Sequence, residues 1–206
     1  MICEVEINMF KPGMVGKWLV GFCEALPSRL KYSQLGGVWH TDIGPLNETV
    51  QIWPYENFER FEEVHSQLAN EPNWPCKGND DIVKRSVQIF SPAPFSAKIG
   101  GGQKLGSIYE MRVYGFRTGT MPTVLDRFAE AFKSGRLELS PAPLFMTSIT
   151  GKLDLALHIW PYESYAARDQ ARAAVKNLSG WPPDIGEFLL NQQNRILIPA
   201  ACSPMA

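Results

Sequence analysis

Ile52-Trp53-Pro54-Tyr55-Glu56 reads IWPYE, and the same five letters return at Ile159-Trp160-Pro161-Tyr162-Glu163, 107 residues later. A string holding Trp, Pro and Tyr together does not recur in a short chain by accident, so the pair marks an internal repeat. Agreement spreads outward from it. Trp74-Pro75 is answered by Trp181-Pro182, and Gly44 and Leu46 by Gly151 and Leu153, at the same spacing. Nearer the start, Ile2, Glu4, Phe10 and Gly13 correspond to Ile108, Glu110, Phe116 and Gly119. Leu19, Phe22, Glu24 and Ala25 then match Leu125, Phe128, Glu130 and Ala131. The first repeat spans residues 1–92 and the second 107–206. Residues 93–106, rich in Pro, Gly and Ser, have the composition of a linker.

Within a repeat, the alternation in ICEVEINM has the period of a strand. Val15, Trp18, Leu19, Phe22 and Leu26 recur at helical spacing, and Pro27 is expected to stop that helix. GVWHTDI and LNETVQIW, joined at Gly44-Pro45, read as a hairpin. Trp53 precedes a proline and must stay extended, while Pro54 suits the first turn of a helix lined by Phe58, Phe61 and Leu68. A last strand fits VKRSVQIF. The order β-α-β-β-α-β is that of a ferredoxin-like unit. The fold class expected is α+β: two tandem ferredoxin-like repeats packing sheet to sheet as a pseudo-dimeric α+β barrel.

Such a unit covers one face of its sheet with helices and leaves the other to be buried elsewhere. The apolar alternates Cys3, Val5, Ile7 and Met9, with Tyr109, Met111 and Val113, are expected under the helices. The opposite face then carries Glu4, Glu6, Asn8, Gln51 and Trp53, and in the second repeat Glu110, Arg112, Tyr114, His158 and Trp160. A Trp on each such face is too large an apolar surface to leave in water, so the two faces are expected to meet. The space between them reads as a pocket, as a filled core with buried ion pairs, or as an open sheet for a protein partner.

Composition narrows the function classes. The 206 residues carry 20 Lys+Arg against 21 Asp+Glu, a net charge of −1 that gives no pull toward nucleic acid or anionic membrane. Neither a signal peptide nor a membrane span is expected, and a cytoplasmic location follows. Cys3, Cys23, Cys76 and Cys202 lack paired spacing, so they read as reduced thiols rather than a disulfide framework or zinc site. GGGQKLGS lacks the lysine-serine end of a phosphate loop. The third strands TVQIW and LALHIW lack the signature of RNA-recognition domains, which share this element order.

GVWHTDIGPLNETVQIWPYENFERF and TGKLDLALHIWPYESYAARDQAR, the latter preceded by IYEMRVYGFRTG, resemble the NIPSNAP domain in both repeats. The resemblance implies the dimeric α+β barrel group, in which two ferredoxin-like units pack sheet to sheet. That group includes cofactor-free monooxygenases and haem-degrading enzymes, whereas NIPSNAP proteins have no agreed activity and some are mitochondrial. The second repeat keeps the pattern more closely, with Tyr109, Glu110, Arg112 and His158 where the first has Cys3, Glu4, Glu6 and Gln51. A single site biased toward the second repeat is therefore expected.

The expected ligand is a small aromatic or amphipathic molecule held between the sheets, with Glu4, Gln51, Trp53, Glu110 and Trp160 as binding residues. A cofactor-free monooxygenase would use His158 as base, Arg112 to stabilise negative charge and Tyr114 with Trp160 to hold the ring. Neither metal nor cofactor is expected, since no H-x-x-x-H spacing occurs among the three histidines. Pairing of two such chains into a homo-oligomer is left open. The contrasting reading is a non-enzymatic scaffold with a filled interior.

Overall fold

The computed structural model describes residues 1–100 and 104–206. The first repeat comprises β1 (Ile2–Phe10), α1 (Val15–Leu30), β2 (Gly37–Ile43), β3 (Glu48–Tyr55), α2 (Phe58–Leu68) and β4 (Ile82–Pro92). The second comprises β5 (Ile108–Phe116), α3 (Met121–Phe132), β6 (Leu144–Ser148), β7 (Leu155–Tyr162), α4 (Tyr165–Ala174) and β8 (Leu189–Pro199). The linker expected at 93–106 lies in part, at 101–103, outside the described residues.

The strands close into one barrel in the order β1-β3-β2-β8-β5-β7-β6-β4. Each repeat contributes a four-stranded antiparallel sheet, and the sheets are stitched together where β2 pairs with β8 and β4 with β6. Closure leaves no open edge for unwanted strand pairing. The tandem ferredoxin-like architecture is thus observed, with the sheets joined by hydrogen bonds as well as facing each other.

Repeated letters correspond to repeated backbone requirements. Gly44 and Gly151 both have positive φ, at 127° and 65°, in the hairpin turns, and Asn47 and Asp154 follow at 58° and 57°. Glycine, and less readily Asn or Asp, adopts that region without a large steric cost, which is why the turn recurs as IGPLN and TGKLD. Beyond each IWPYE comes a helix cap. The Asn57 side chain accepts from the Arg60 backbone N–H at 2.8 Å, and Ser164 Oγ accepts from that of Ala167 at 3.1 Å.

Two local expectations are corrected. Helix α1 runs through Pro27 to Leu30, because Leu26 and Arg29 continue its buried face and their burial outweighs the backbone hydrogen bond lost at the proline. Pro54 lies in β3, not in the first turn of α2. Pairing between β2 and β3 ends at Gly37 and Ile52, so the missing N–H of Pro54 breaks no ladder on that side. The extended chain there also carries Tyr55 to the Glu4 carboxylate, 2.8 Å from its hydroxyl.

The larger correction concerns the faces. Cys3, Val5, Val50 and Ile52 do not lie under the helices. They meet Tyr109, Met111, Leu144, Met146, Leu157, Ile159 and Leu197 inside the barrel, where Trp39 and Met205 complete a continuous apolar cluster. Glu4, Gln51, Trp53, Glu110, His158 and Trp160 sit on the outer face, beneath the helices. Sheet enclosure keeps water from the interior, so only apolar side chains fill it at low cost. The helix layer is open at its margins, where charged groups find both partners and solvent.

The cysteine expectation is also overturned in part: Cys23 on α1 is bonded to Cys202 in the C-terminal segment. Cys3 and Cys76 are free thiols, and burial pushes them up to about 12 and about 11. That segment closes one end of the barrel. Ser203 Oγ accepts from the Val38 N–H at 3.1 Å, and Tyr109 donates to the Met205 carbonyl at 2.5 Å. Among the described residues no helix is long and apolar enough to cross a membrane.

Candidate functional site

Each repeat places a buried glutamate and an arginine stacked on tryptophan at equivalent positions between its sheet and its helices, with different partners. In the first, Glu4 Oε2 receives the Tyr55 hydroxyl at 2.8 Å, lies 3.2 Å from His65 Nε2 and lies 3.3 Å from Arg29 Nη2. The Arg29 guanidinium lies over the Trp53 ring at 3.5 Å and within 5.1 Å of Trp74. Burial raises the Glu4 carboxyl, but the His65 ring, Arg29 and Tyr55 bring it below the usual carboxylate range.

Its counterpart in the second repeat, Glu110, is fully buried on β5. Its oxygens accept from Arg168 at 2.9 and 3.1 Å, Arg112 at 2.9 Å, Asn194 at 3.1 Å and Arg172 at 3.4 Å. Burial opposes its ionisation, yet Arg168 and Arg112 hold it down at about 2. Arg136 stands where Arg29 stands, 4.1 Å over Trp160 and 5.4 Å from Trp181. Its hydrogen bonds go to Ser140 Oγ and the Tyr162 hydroxyl.

Next to each constellation is a cleft. The first-repeat cleft, about 240 Å³, is lined by Glu6, Arg29, Gln51, His65 and Trp74 among others. The second-repeat cleft, about 400 Å³, is lined by Arg112, Arg136, Tyr162, Asp169, Arg172, Lys176, Trp181 and Pro182 among others. A further hollow of about 320 Å³, containing Glu110, Tyr114 and Asn194, shares Arg112 and Arg172 with it.

The structure thus brings Glu110, Arg112 and Tyr114 to one region and leaves Trp160 beneath Arg136. Glu4, Gln51 and Trp53 belong to the first-repeat constellation on the far side of the barrel. Sequence reasoning missed Arg136, Arg168, Arg172 and Trp181. The Trp74/Trp181 match and the fourfold spacing of 168, 172 and 176 were the available signals.

His158 is 1% exposed. Its Nδ1 accepts from the Trp160 indole N–H at 2.6 Å, and its ring stacks on Phe145 at 5.1 Å with Tyr114 at its edge. Burial, with Arg112 nearby, pushes it down to about 3, so it is neutral. The lone pair a base would use already serves the tryptophan. Gln51, its counterpart, accepts from the Trp53 indole in the same way at 3.2 Å. The shared requirement is an acceptor for a buried indole. Accordingly, His158→Gln is expected to leave stability nearly unchanged, whereas His158→Leu orphans the indole N–H and costs about 1–3 kcal/mol in urea unfolding. Equal losses in both variants would contradict this role.

The NIPSNAP family model matches residues 7–97 and 109–204, most of both repeats. The chain belongs to the NIPSNAP family. Human NipSnap homolog 3B is 27% identical over 215 residues, covering 98% of this NIPSNAP chain and 85% of that protein. Mouse NipSnap homolog 2 is 25% identical, covering 83% and 63%. The barrel also matches, with TM-score 0.67 and 12% identity, a solved candidate monooxygenase of Lactobacillus acidophilus, covering 97% of this chain and 94% of that one. At that identity the likeness concerns the fold alone. These NIPSNAP repeats therefore share a barrel with that protein, and their own site has to be argued from its side chains.

Proposed function

We propose that this NIPSNAP protein binds a small aromatic or amphipathic molecule in the second-repeat cleft between α4 and the outer sheet face. The observation that carries the reading is that cleft itself: about 400 Å³, with Trp181, Tyr162 and Pro182 as apolar wall and arginines as polar anchors. That volume falls within the range of small-molecule sites, about 300–1,000 Å³. The site first expected between the sheets moves to the helix side, because the barrel interior is occupied by Trp39, Tyr109, Met111, Met146 and their neighbours. A cavity of about 500 Å³ near Met1, Tyr32, Pro54 and Lys98 is larger, but it lacks a buried guanidinium stacked on tryptophan.

The proposal is binding, and His158 has no acid–base part in it. Tyr114, half-buried beside Arg112, and Arg112 itself remain the groups able to meet a ligand from β5. Native mass spectrometry of the freshly purified protein is expected to show a mass excess that denaturation releases, lost in Trp181→Ala. A wild-type chain that remains empty after exposure to aromatic and lipid extracts would instead support the scaffold reading, with the filled interior serving folding alone.

A further inference from the structure

The two clefts differ in charge, and that difference identifies the chemistry of the occupant. We infer that the second-repeat cleft takes an organic anion, a carboxylate or phosphate group carried on an apolar body. The inference rests on the binding reading above and specifies its ligand.

Four equivalent positions carry the difference. Glu6, Phe61, His65 and Ala69 of the first repeat become Arg112, Arg168, Arg172 and Lys176. One negative charge, with histidine neutral, is replaced by four positive ones. Arg112, Arg168 and Arg172 share a single buried carboxylate, Glu110, and Arg168 also reaches the exposed Asp169 at 3.2 Å. The whole chain has a net charge of −1, so this excess is local. A surface built for nucleic acid would extend much further.

Arg136 is the second observation. It is 4% exposed, yet among the described residues it forms no ion pair; its counterpart Arg29 lies 3.3 Å from Glu4. A buried cation without a counter-charge carries an uncompensated desolvation cost. Burial and the neighbouring Arg112 accordingly lower the Arg136 pKa. An anion entering beside Trp181 would meet Arg136 from below and Arg112, Arg172 and Lys176 from the sides. Guanidinium forks match the paired oxygens of carboxylate and phosphate, and the apolar remainder would lie on Trp181 and Pro182.

Calorimetric titration of the intact protein with benzoate, phenyl phosphate, benzamide and inorganic phosphate tests this. Benzoate or phenyl phosphate should bind at least about tenfold more tightly than neutral benzamide, their ratio showing which group is preferred. The double change Arg172→His with Lys176→Ala restores the first repeat's residues on an exposed helix face and should leave the fold unchanged. It should erase that preference, weakening benzoate and phenyl phosphate far more than benzamide. Benzamide binding as tightly as benzoate would overturn the anionic assignment but leave the binding reading intact. Unchanged anion affinity in the double variant would overturn the location, and inorganic phosphate matching phenyl phosphate would overturn the organic body. Silence with every probe overturns the inference; the binding reading falls as well only if native mass spectrometry also finds the chain empty.

Discussion

Glu110→Ala is expected to lower the free energy of unfolding by about 3–5 kcal/mol, the cost of removing one partner from a buried ion pair. Glu110 is fully buried and is the shared acceptor of Arg112, Arg168, Arg172 and Asn194. Without it, Arg112 and Arg168, each with an 18% exposed side chain, are left partly buried and facing one another. Exposed pairs such as Lys133–Glu130 are worth far less, about 0–1 kcal/mol, so Glu130→Ala is the natural control. Urea unfolding followed by circular dichroism checks the prediction; a Glu110→Ala loss no larger than the control's would contradict it.

The same group sets part of the response to acid. The folded-state pKa of Glu110 is held at about 2, below its unfolded value, so its stabilisation is fully present above the ordinary carboxylate range and lost as pH falls toward 2. His158, pushed down to about 3, acts in the same direction but begins earlier: the unfolded imidazole takes up protons below about 6.5 while the buried one does not. Stability is therefore expected to decline from about pH 6.5 downward. His158→Gln should remove the upper part of that decline.

Breaking the Cys23–Cys202 bond has the second large effect. It joins residues separated by 179 positions, and the chain-entropy relation for so long a loop gives about 5 kcal/mol, against about 2–5 kcal/mol commonly measured. The bond fixes the C-terminal segment across the barrel end, where Met205 enters the interior cluster. Cys202→Ser is expected to lower the melting temperature and to increase protease cleavage after residue 199, with hydrogen exchange rising first at Val38, whose N–H is bonded to Ser203. A melting temperature unmoved by the substitution and by reductant would contradict this.

Much of the fold was legible because each of its signals is local and occurs twice. The hairpin turns need positive φ at Gly44 and Gly151, the helices need caps at Asn57 and Ser164, and the strands alternate. What alternation does not tell is which face points inward when both are buried. Cys3 and Val5 were more apolar than Glu4 and Glu6, and the helix side is usually the drier one. In a closed barrel the drier side is the interior, so the assignment turned over. The disulfide was hidden for a related reason: Cys23 and Cys202 lie in different repeats, and only the return of the chain after β8 brings them together. Half of the proposed site was legible. Glu110, Arg112, Tyr114 and Trp160 could be read from strands β5 and β7, whereas Arg136, Arg168 and Arg172 come from helices whose rotation against the sheet no strand pattern fixes.

The central claim is that ligand enters beneath helix α4 of the second repeat and not between the sheets. A crystal structure of the protein soaked with bromobenzoate, phased on the anomalous signal of bromine, tests it most directly. A bromine peak beside Trp181, with the carboxylate facing Arg136 and Arg172, is the predicted result. A peak inside the barrel, among Val5, Met111, Met146 and Leu157, would contradict it and return the site to the space between the sheets.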